Sequence, residues 1–357
     1  MSKLNEYDIH FLIDKLQKGE PIPDDYKYKL FPTKQKEYEL VYAGKMRKED
    51  ILANEDGVFP APLQVEKIFN GNEYLAGDKD WRNMIVFGDN LQFLKTVCEN
   101  KDPLIKDKVK GKVKLIYIDP PFGTGDEYDG NNGQSAYSAK RKGAEFVEFF
   151  RRRTIALKDI LAQDGFLFVR LDYHFGHYVK VILDEIFEKN NFKNEFIVNR
   201  VKKNVTIKGR RTVPNAVDSL FVYSKTEVSA YKDILRPLKQ RREGYWHNME
   251  SAGFSGPRQV VINGKVYYPS KNSHFKFTQK QSDEMIAAGK IHVNPRTKKP
   301  EYWVEPKEHE TLDSNWTDIP GYTFTTNYPT ENSEELLKRV IKLTTNESDI
   351  VLDVFAG

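Results

Sequence analysis

Residues 113–122 read VKLIYIDPPF, a nearly continuous β-branched and aromatic run that stops at Asp119-Pro120-Pro121-Phe122. Strands covered on both faces of a parallel sheet read this way, and two prolines, lacking N–H donors, end the ladder. Working outward, AEFVEFFRRRTIALKDIL (144–161) puts Phe146, Phe149, Phe150, Leu157 and Leu161 on one helical face, with Gly165 ending the element. FLFVRL (166–171) then predicts a strand closing on Asp172, and HYVKVILDEIFEKN (177–190) a helix with Val179, Ile182, Leu183 and Ile186 inward. Upstream, NMIVF (83–87), Gly88-Asp89-Asn90 and LQFLKTV predict strand, turn and helix. Strands alternating with helices of these lengths predict an α/β three-layer domain with a mainly parallel sheet.

That regularity is lost near Arg200. Residues 200–320 mix Gly, Pro and basic residues with short β-like pieces such as SLFVYS and VYYP, which suits an inserted domain. It returns at NSEELLKRVIKL (332–343), where Asn332 is placed to cap and Glu335 sits at the third helical position, and the strand IVLDVFAG (350–357) follows. Residues 1–80, polar and Pro-containing with a helix expected at Tyr7–Lys18, read as an N-terminal helical extension. The domain expectation is thus 1–80 extension, 81–199 first α/β part, 200–320 insertion and 321–357 resumption.

Composition narrows the chemistry. The chain has 357 residues, a net charge of +4 and one cysteine, Cys98, so no internal disulfide framework or multi-cysteine metal site can be built. Cys98 reads as a core residue. His174 and His177 have no third ligand pattern nearby, so no metal is expected, and Arg151-Arg152-Arg153 reads as the wet face of an amphipathic helix. No apolar run reaches transmembrane length and the first residues lack a signal-peptide core, so no membrane association and a cytoplasmic location are expected. Positive charge is local: RVKKNVTIKGRR (200–211) contains Lys202, Lys203, Lys208, Arg210 and Arg211, and RPLKQRREGYW (236–246) sets Arg241 and Arg242 beside Tyr245 and Trp246. Such runs suit phosphate contacts with aromatic stacking, although solvated basic loops look the same.

Ligands of open α/β sheets bind past the carboxyl ends of strands, where Asp119 falls. An acid, the Pro120 carbonyl and the Phe122 ring together match a flat base bearing an amino group: two acceptors for its hydrogens and a stacking face. On these residues alone an ordinary strand-to-helix turn fits equally well.

The motif set decides between them. IYIDPPFGTG resembles the catalytic motif of the amino-methylating DNA methyltransferases, usually Asp-Pro-Pro-Tyr, and LDVFAG resembles the first half of their glycine-rich S-adenosylmethionine motif. Catalytic motif first, recognition region next and cofactor motif last is the order of the family's β class. The GDN turn, the LFVRLD strand, the FTQKQSDEMIAAGKIHVNPRTKKPEYWV segment and YPTENSEELLKRVI also resemble that class, especially type III modification subunits. The resemblance implies a Rossmann-like methyltransferase fold with an inserted target-recognition region, ending inside the cofactor motif. It implies S-adenosylmethionine as cofactor, double-stranded DNA as substrate, and a restriction subunit and a second copy as candidate partners.

Asp119, Pro120, Pro121 and Phe122 would hold the target base, and Asp353, Phe355, Ala356, Gly357 and Asp89 the cofactor. Phe122 in place of Tyr keeps the stacking face. The Asp of the motif leans toward adenine, its cytosine-modifying counterparts more often carrying Ser. The competing expectations are N4-cytosine methylation and a catalytically inactive DNA-binding fragment.

Overall fold

The computed structural model describes residues 4–23, 26, 39–69, 83–120, 127–129, 135–138, 143–200, 215–323 and 331–356. They divide into two compact units, one formed by the chain up to Tyr231 with Ser314 onward, the other by Lys232–Asp313.

Six strands form the sheet of the larger unit: β1 (Val113–Ile118), β2 (Leu161–Leu171), β3 (Phe192–Asn199), β4 (Val217–Ser224), β5 (Asn315–Pro320) and β6 (Ile350–Leu352). Their spatial order is β5-β3-β4-β2-β1-β6. β1 runs parallel to both neighbours, with Ile116 opposite Leu167 on one side and Leu352 on the other. β5 is parallel to β3, and only β4 runs antiparallel to the strands beside it.

Because side chains alternate along a strand, each strand feeds two cores. Val113, Ile116 and Ile118 of β1 and Leu167, Val169 and Leu171 of β2 pack against helices α1 (Asn90–Glu99), α2 (Ala144–Ile160) and α3 (Gly176–Phe187). The register shifts between Val113 and Leu115; beyond it Leu115 and Tyr117 alternate with Ile116 and Ile118, as Phe168 and Arg170 do with Leu167, Val169 and Leu171, and face the other side. There α4 (Glu334–Thr344) buries Leu336, Val340 and Leu343, and Trp316 of β5 stacks on Phe196 of β3 at 4.0 Å. The expected three-layer α/β arrangement is present.

Several local expectations are corrected. Helix α2 stops at Ile160, and Leu161 already belongs to β2; Gly165 lies inside that strand, where a Cβ would meet the Val113 carbonyl oxygen at 2.8 Å. Residues 84–87 are exposed and form no strand, since an apolar run becomes a strand only when another backbone pairs with it. SLFVYS, expected in the insertion, is β4 in the middle of the large sheet, so the second unit starts at Lys232 instead of near 200.

The Arg151–Arg153 run is not a wet face: Arg151 and Arg153 are 5 % and 4 % exposed. Residues 39–63 lie along these helices and supply partners for Arg151 and Arg152, while Arg153 bonds Asn90 and Asp89. Arg151 donates to the Met46 carbonyl, Lys95 and Arg152 both bond the buried Asp56 carboxylate, Ala61 donates to Thr96 and Leu63 to Asp102. Cys98 packs partly buried against the same core, and burial pushes its thiol up to about 12.

The smaller unit has its own core of Met249, Val260, Ile262, Phe275 and Ile291. A three-stranded piece joins Ile291–Val293, Pro300–Val304 and Tyr245–Asn248, and helix Gln279–Ala287 starts at a capping box between Thr278 and Gln281. Its first strand, Leu235–Arg242, pairs antiparallel with its last, Lys307–Thr311. No helix among the described residues is long and apolar enough to cross a membrane.

Replacing Asp56 by Ala strands two cations against α1 and α2. Urea denaturation is expected to show a loss of about 3 kcal/mol, since removing one partner leaves the other charges unpaired in a largely buried place.

Candidate active site

Five strands pointing the same way deliver their following residues to one edge of the sheet. Asp119 follows β1 and Asp353 follows the neighbouring β6, on either side of the crevice where strand order departs from chain order. Asp172, Arg200 and Gly321 follow β2, β3 and β5 at that edge. Asp218 arrives there from the start of β4, because that strand runs the other way.

The Asp119 carboxylate is held by a residue distant in sequence. Asn332 Nδ2 donates to Asp119 Oδ2 at 3.0 Å, while Asn332 Oδ1 accepts from the Tyr117 hydroxyl and from Arg170 Nη1, each at 2.9 Å. Asn332 was expected to cap α4, but Ser333 takes the cap position. Arg170, 0 % exposed, also donates to the Gly321 carbonyl at 2.6 Å and through Nε and Nη2 to Asp218 Oδ2 at 3.3 and 2.8 Å. Its guanidinium carbon lies 3.7 Å from the centre of the Tyr322 ring. A side chain on Gly321 would overlap Arg170 and the Asn199 carbonyl, so this approach requires glycine.

Burial raises the Asp119 carboxyl to about 6, with Arg170 and the Asn332 hydrogen bond pulling the other way. Asp353 is exposed at the surface, yet desolvation by the protein around it raises its carboxyl to about 6; the Phe355 N–H, which donates to Asp353 Oδ1 at 2.7 Å, opposes this and the charge of Asp119 adds to it. Burial pushes the Tyr117 and Tyr322 hydroxyls upward, so both stay protonated donors.

The loop after β6 is tied to the start of α1. Asn90 Nδ2 donates to the Val354 carbonyl at 2.7 Å, and Arg153 Nε donates to Asn90 Oδ1 at 2.5 Å. Arg153 also reaches Asp89 Oδ2 at 3.3 Å and lies 3.5 Å from the centre of the Phe149 ring, itself 6.1 Å from Phe355. Asp89 caps α1 by accepting from the Gln92 N–H at 3.0 Å. A cleft of about 580 Å³ opens here, lined by Asp89, Gln92, Phe149, Arg152, Arg153 and Phe59 among others.

The structure therefore brings Asp119 and Pro120 to one strand end, and Asp353, Phe355, Ala356 and Asp89 to a single neighbourhood beside it. Pro121, Phe122, Gly357, Lys202, Lys203, Lys208, Arg210 and Arg211 lie outside the described residues. Arg241 and Arg242 are exposed on the smaller unit, where Arg241 is 3.8 Å from Glu243 and 3.6 Å from Glu308. His174 Nδ1 pairs with Asp172 at 2.7 Å, and the described residues contain no group of three or more metal-ligating side chains.

Tyr117, Arg170, Asp218, Gly321, Tyr322 and Asn332 join the site without being named for it by any sequence motif, Asn332 reading only as a helix cap. Two carried a signal: Arg170 interrupts FLFVRL and Asp218 opens an equally apolar strand, and charges in buried strands imply mutual pairing.

The chain is 28 % identical to the type II methyltransferase M.EcaI of Enterobacter cloacae over 350 residues, covering 89 % of this chain and 70 % of that one. It is 25 % identical to the type III restriction-modification enzyme StyLTI Mod subunit of Salmonella typhimurium, covering 79 % of this chain and 49 % of the Mod subunit. It thus spans about half the length of that Mod subunit. Among solved structures it matches the M1.HpyAVI–SAM complex with a TM-score of 0.33 at 14 % identity, over 75 % of this chain and 80 % of that one. Residues 113–357, from the first residue of β1 through the loop after β6, match the model of the N6/N4 DNA methylases, and the chain belongs to that family.

Proposed function

We propose that this chain is a site-specific DNA methyltransferase that modifies the N6 amine of adenine, as the modification component of a restriction-modification system. The observation that carries this is Asp119 at the carboxyl end of β1, with one oxygen engaged by Asn332 beside the Asp353 crevice.

An aryl amine is a poor nucleophile because its lone pair is delocalised into the ring. Asp119 and the Pro120 carbonyl accept its two hydrogens, let the nitrogen pyramidalise and direct its lone pair; Phe122 stacks on the flipped base. S-adenosylmethionine, the family's cofactor, supplies an electrophilic methyl group on a sulfonium. The residues present fit that group: Asp353 adds negative charge for a cation, Phe355 and Ala356 continue the loop that Asn90 holds, and Asp89 borders the adjoining cleft. Lys202, Lys203, Lys208, Arg210, Arg211, Arg241 and Arg242 contact phosphates of double-stranded DNA in this reading. A restriction subunit and a second copy of the chain are its protein partners, checked by sedimentation of the mixed components.

The decisive measurement is transfer of radiolabelled methyl from S-adenosylmethionine into duplex DNA, followed by base analysis. Asp119→Asn is expected to lower transfer by at least about 10³-fold with DNA affinity within about twofold. Label recovered in cytosine would replace the adenine assignment, and salt-sensitive DNA binding with no cofactor binding would make the chain a silent DNA-binding fragment.

The pH dependence has a definite sign. The acceptor form of Asp119 is ionised, and its raised value of about 6 means that kcat/KM should fall below that pH, to about one-tenth of its plateau at pH 5. A carboxyl raised on folding favours the folded state as it gains its proton. At this group acid therefore strengthens the fold, and circular dichroism at pH 5 should remain native.

Each basic residue that meets a phosphate should contribute about 0.9 to the slope of log K against log salt. The double variant Arg241→Ala, Arg242→Ala is expected to flatten it by nearly 2; an unchanged slope removes this pair from the interface.

A further inference from the structure

We propose that Asn332, its amide fixed in direction by Tyr117 and Arg170, is the positioning residue that occupies one oxygen of Asp119 and leaves the other for the amino group of the target base. This rests on the reading of Asp119 as an acceptor for that amine, and adds how the carboxylate is aimed.

An asparagine amide can be turned over with little change in shape, so its direction has to be imposed by its partners. Here the Tyr117 hydroxyl and Arg170 Nη1 both present donors to Oδ1. Turned over, the amide would set its own NH₂ against those donors and face Asp119 with an oxygen, losing three hydrogen bonds together. Arg170 is itself held by Asp218, the Gly321 carbonyl and the Tyr322 ring. Asp119 Oδ2 is consequently engaged by a neutral donor supported on a fixed cation.

The charged and titratable groups that act on Asp119 come from every neighbouring element. Arg170 from β2 and Arg200 after β3 favour its ionised form; Asp218 from β4 opposes it, and Asp353 after β6 is itself raised by the charge of Asp119. Tyr117 and Tyr322 stay protonated beside them. Losing the Asn332 donor or the Arg170 charge should therefore make Asp119 harder to ionise.

The test combines a carboxyl ¹³C NMR titration of the aspartate-labelled chain, with Asp119 assigned from Asp119→Asn, and methyl-transfer kinetics. Asn332→Ala is expected to move the Asp119 midpoint upward by about 1 unit, and to lower kcat by about 10- to 100-fold with KM for DNA within about twofold. Arg170→Met should shift the midpoint in the same direction, and Arg170→Lys, by keeping the charge, should leave the midpoint close to that of the unaltered chain. Tyr117→Phe, which removes one hydroxyl from an unchanged ring, should reproduce the kcat loss in part; if Arg170→Met does not fold, Tyr117→Phe and Asn332→Ala carry the test. An Asn332→Ala chain with an unmoved midpoint and unchanged kcat overturns the positioning role. Asp119→Asn with full transfer overturns instead the reading of Asp119 itself, so the two failures are distinguishable.

Discussion

A guanidinium sealed between a sheet and its covering layer imposes more on this fold than any apolar contact. Arg170 is fully buried, and a charge so placed survives only when its donors are matched by acceptors of fixed position. Asp218 must therefore stand on the adjacent strand at the same edge, which the antiparallel run of β4 provides. Gly321 must lack a side chain, Tyr322 must lie flat over the cation, and Asn332 must turn its oxygen inward. The orientation of the amide at Asp119 is the last consequence of that series.

A second ionic arrangement serves the opposite face. Asp56, with no exposed side-chain surface, joins Lys95 of α1 to Arg152 of α2, so a segment preceding the sheet in sequence fastens two of its helices together. The same helices carry Asn90 and Arg153, which tie down the loop after β6. The anchoring of that loop thus involves Asn90, a residue outside the family-matching portion of the chain.

What could be read in advance depended on how local its cause was. Asp119, the 353–357 loop and Asp89 stand in short contiguous motifs, and the helices announce themselves through a period that repeats within a few residues. Asn332 is 213 residues from Asp119, and nothing near it distinguishes a cap from a site residue. The arginine run of α2 reads as solvated because its partners, at residues 46, 56, 89 and 90, lie about 60 to 105 positions earlier in the chain. Strand pairing is equally non-local, which is why the apolar run 84–87 forms no strand and why β4 belongs to the large sheet although the sequence around it reads as an insertion.

The pairing of Leu235–Arg242 with Lys307–Thr311 has a consequence for how such a chain can change. The smaller unit begins and ends on adjoining strands, with the Leu312 N–H bonded to the Ile234 carbonyl at 3.1 Å. To the large sheet, everything between those points amounts to a closed loop whose length adds little entropic cost. A different cassette with equally close ends could replace it while β4, β5 and the Arg170 network kept their places, so the two parts of the molecule are free to diversify at different rates.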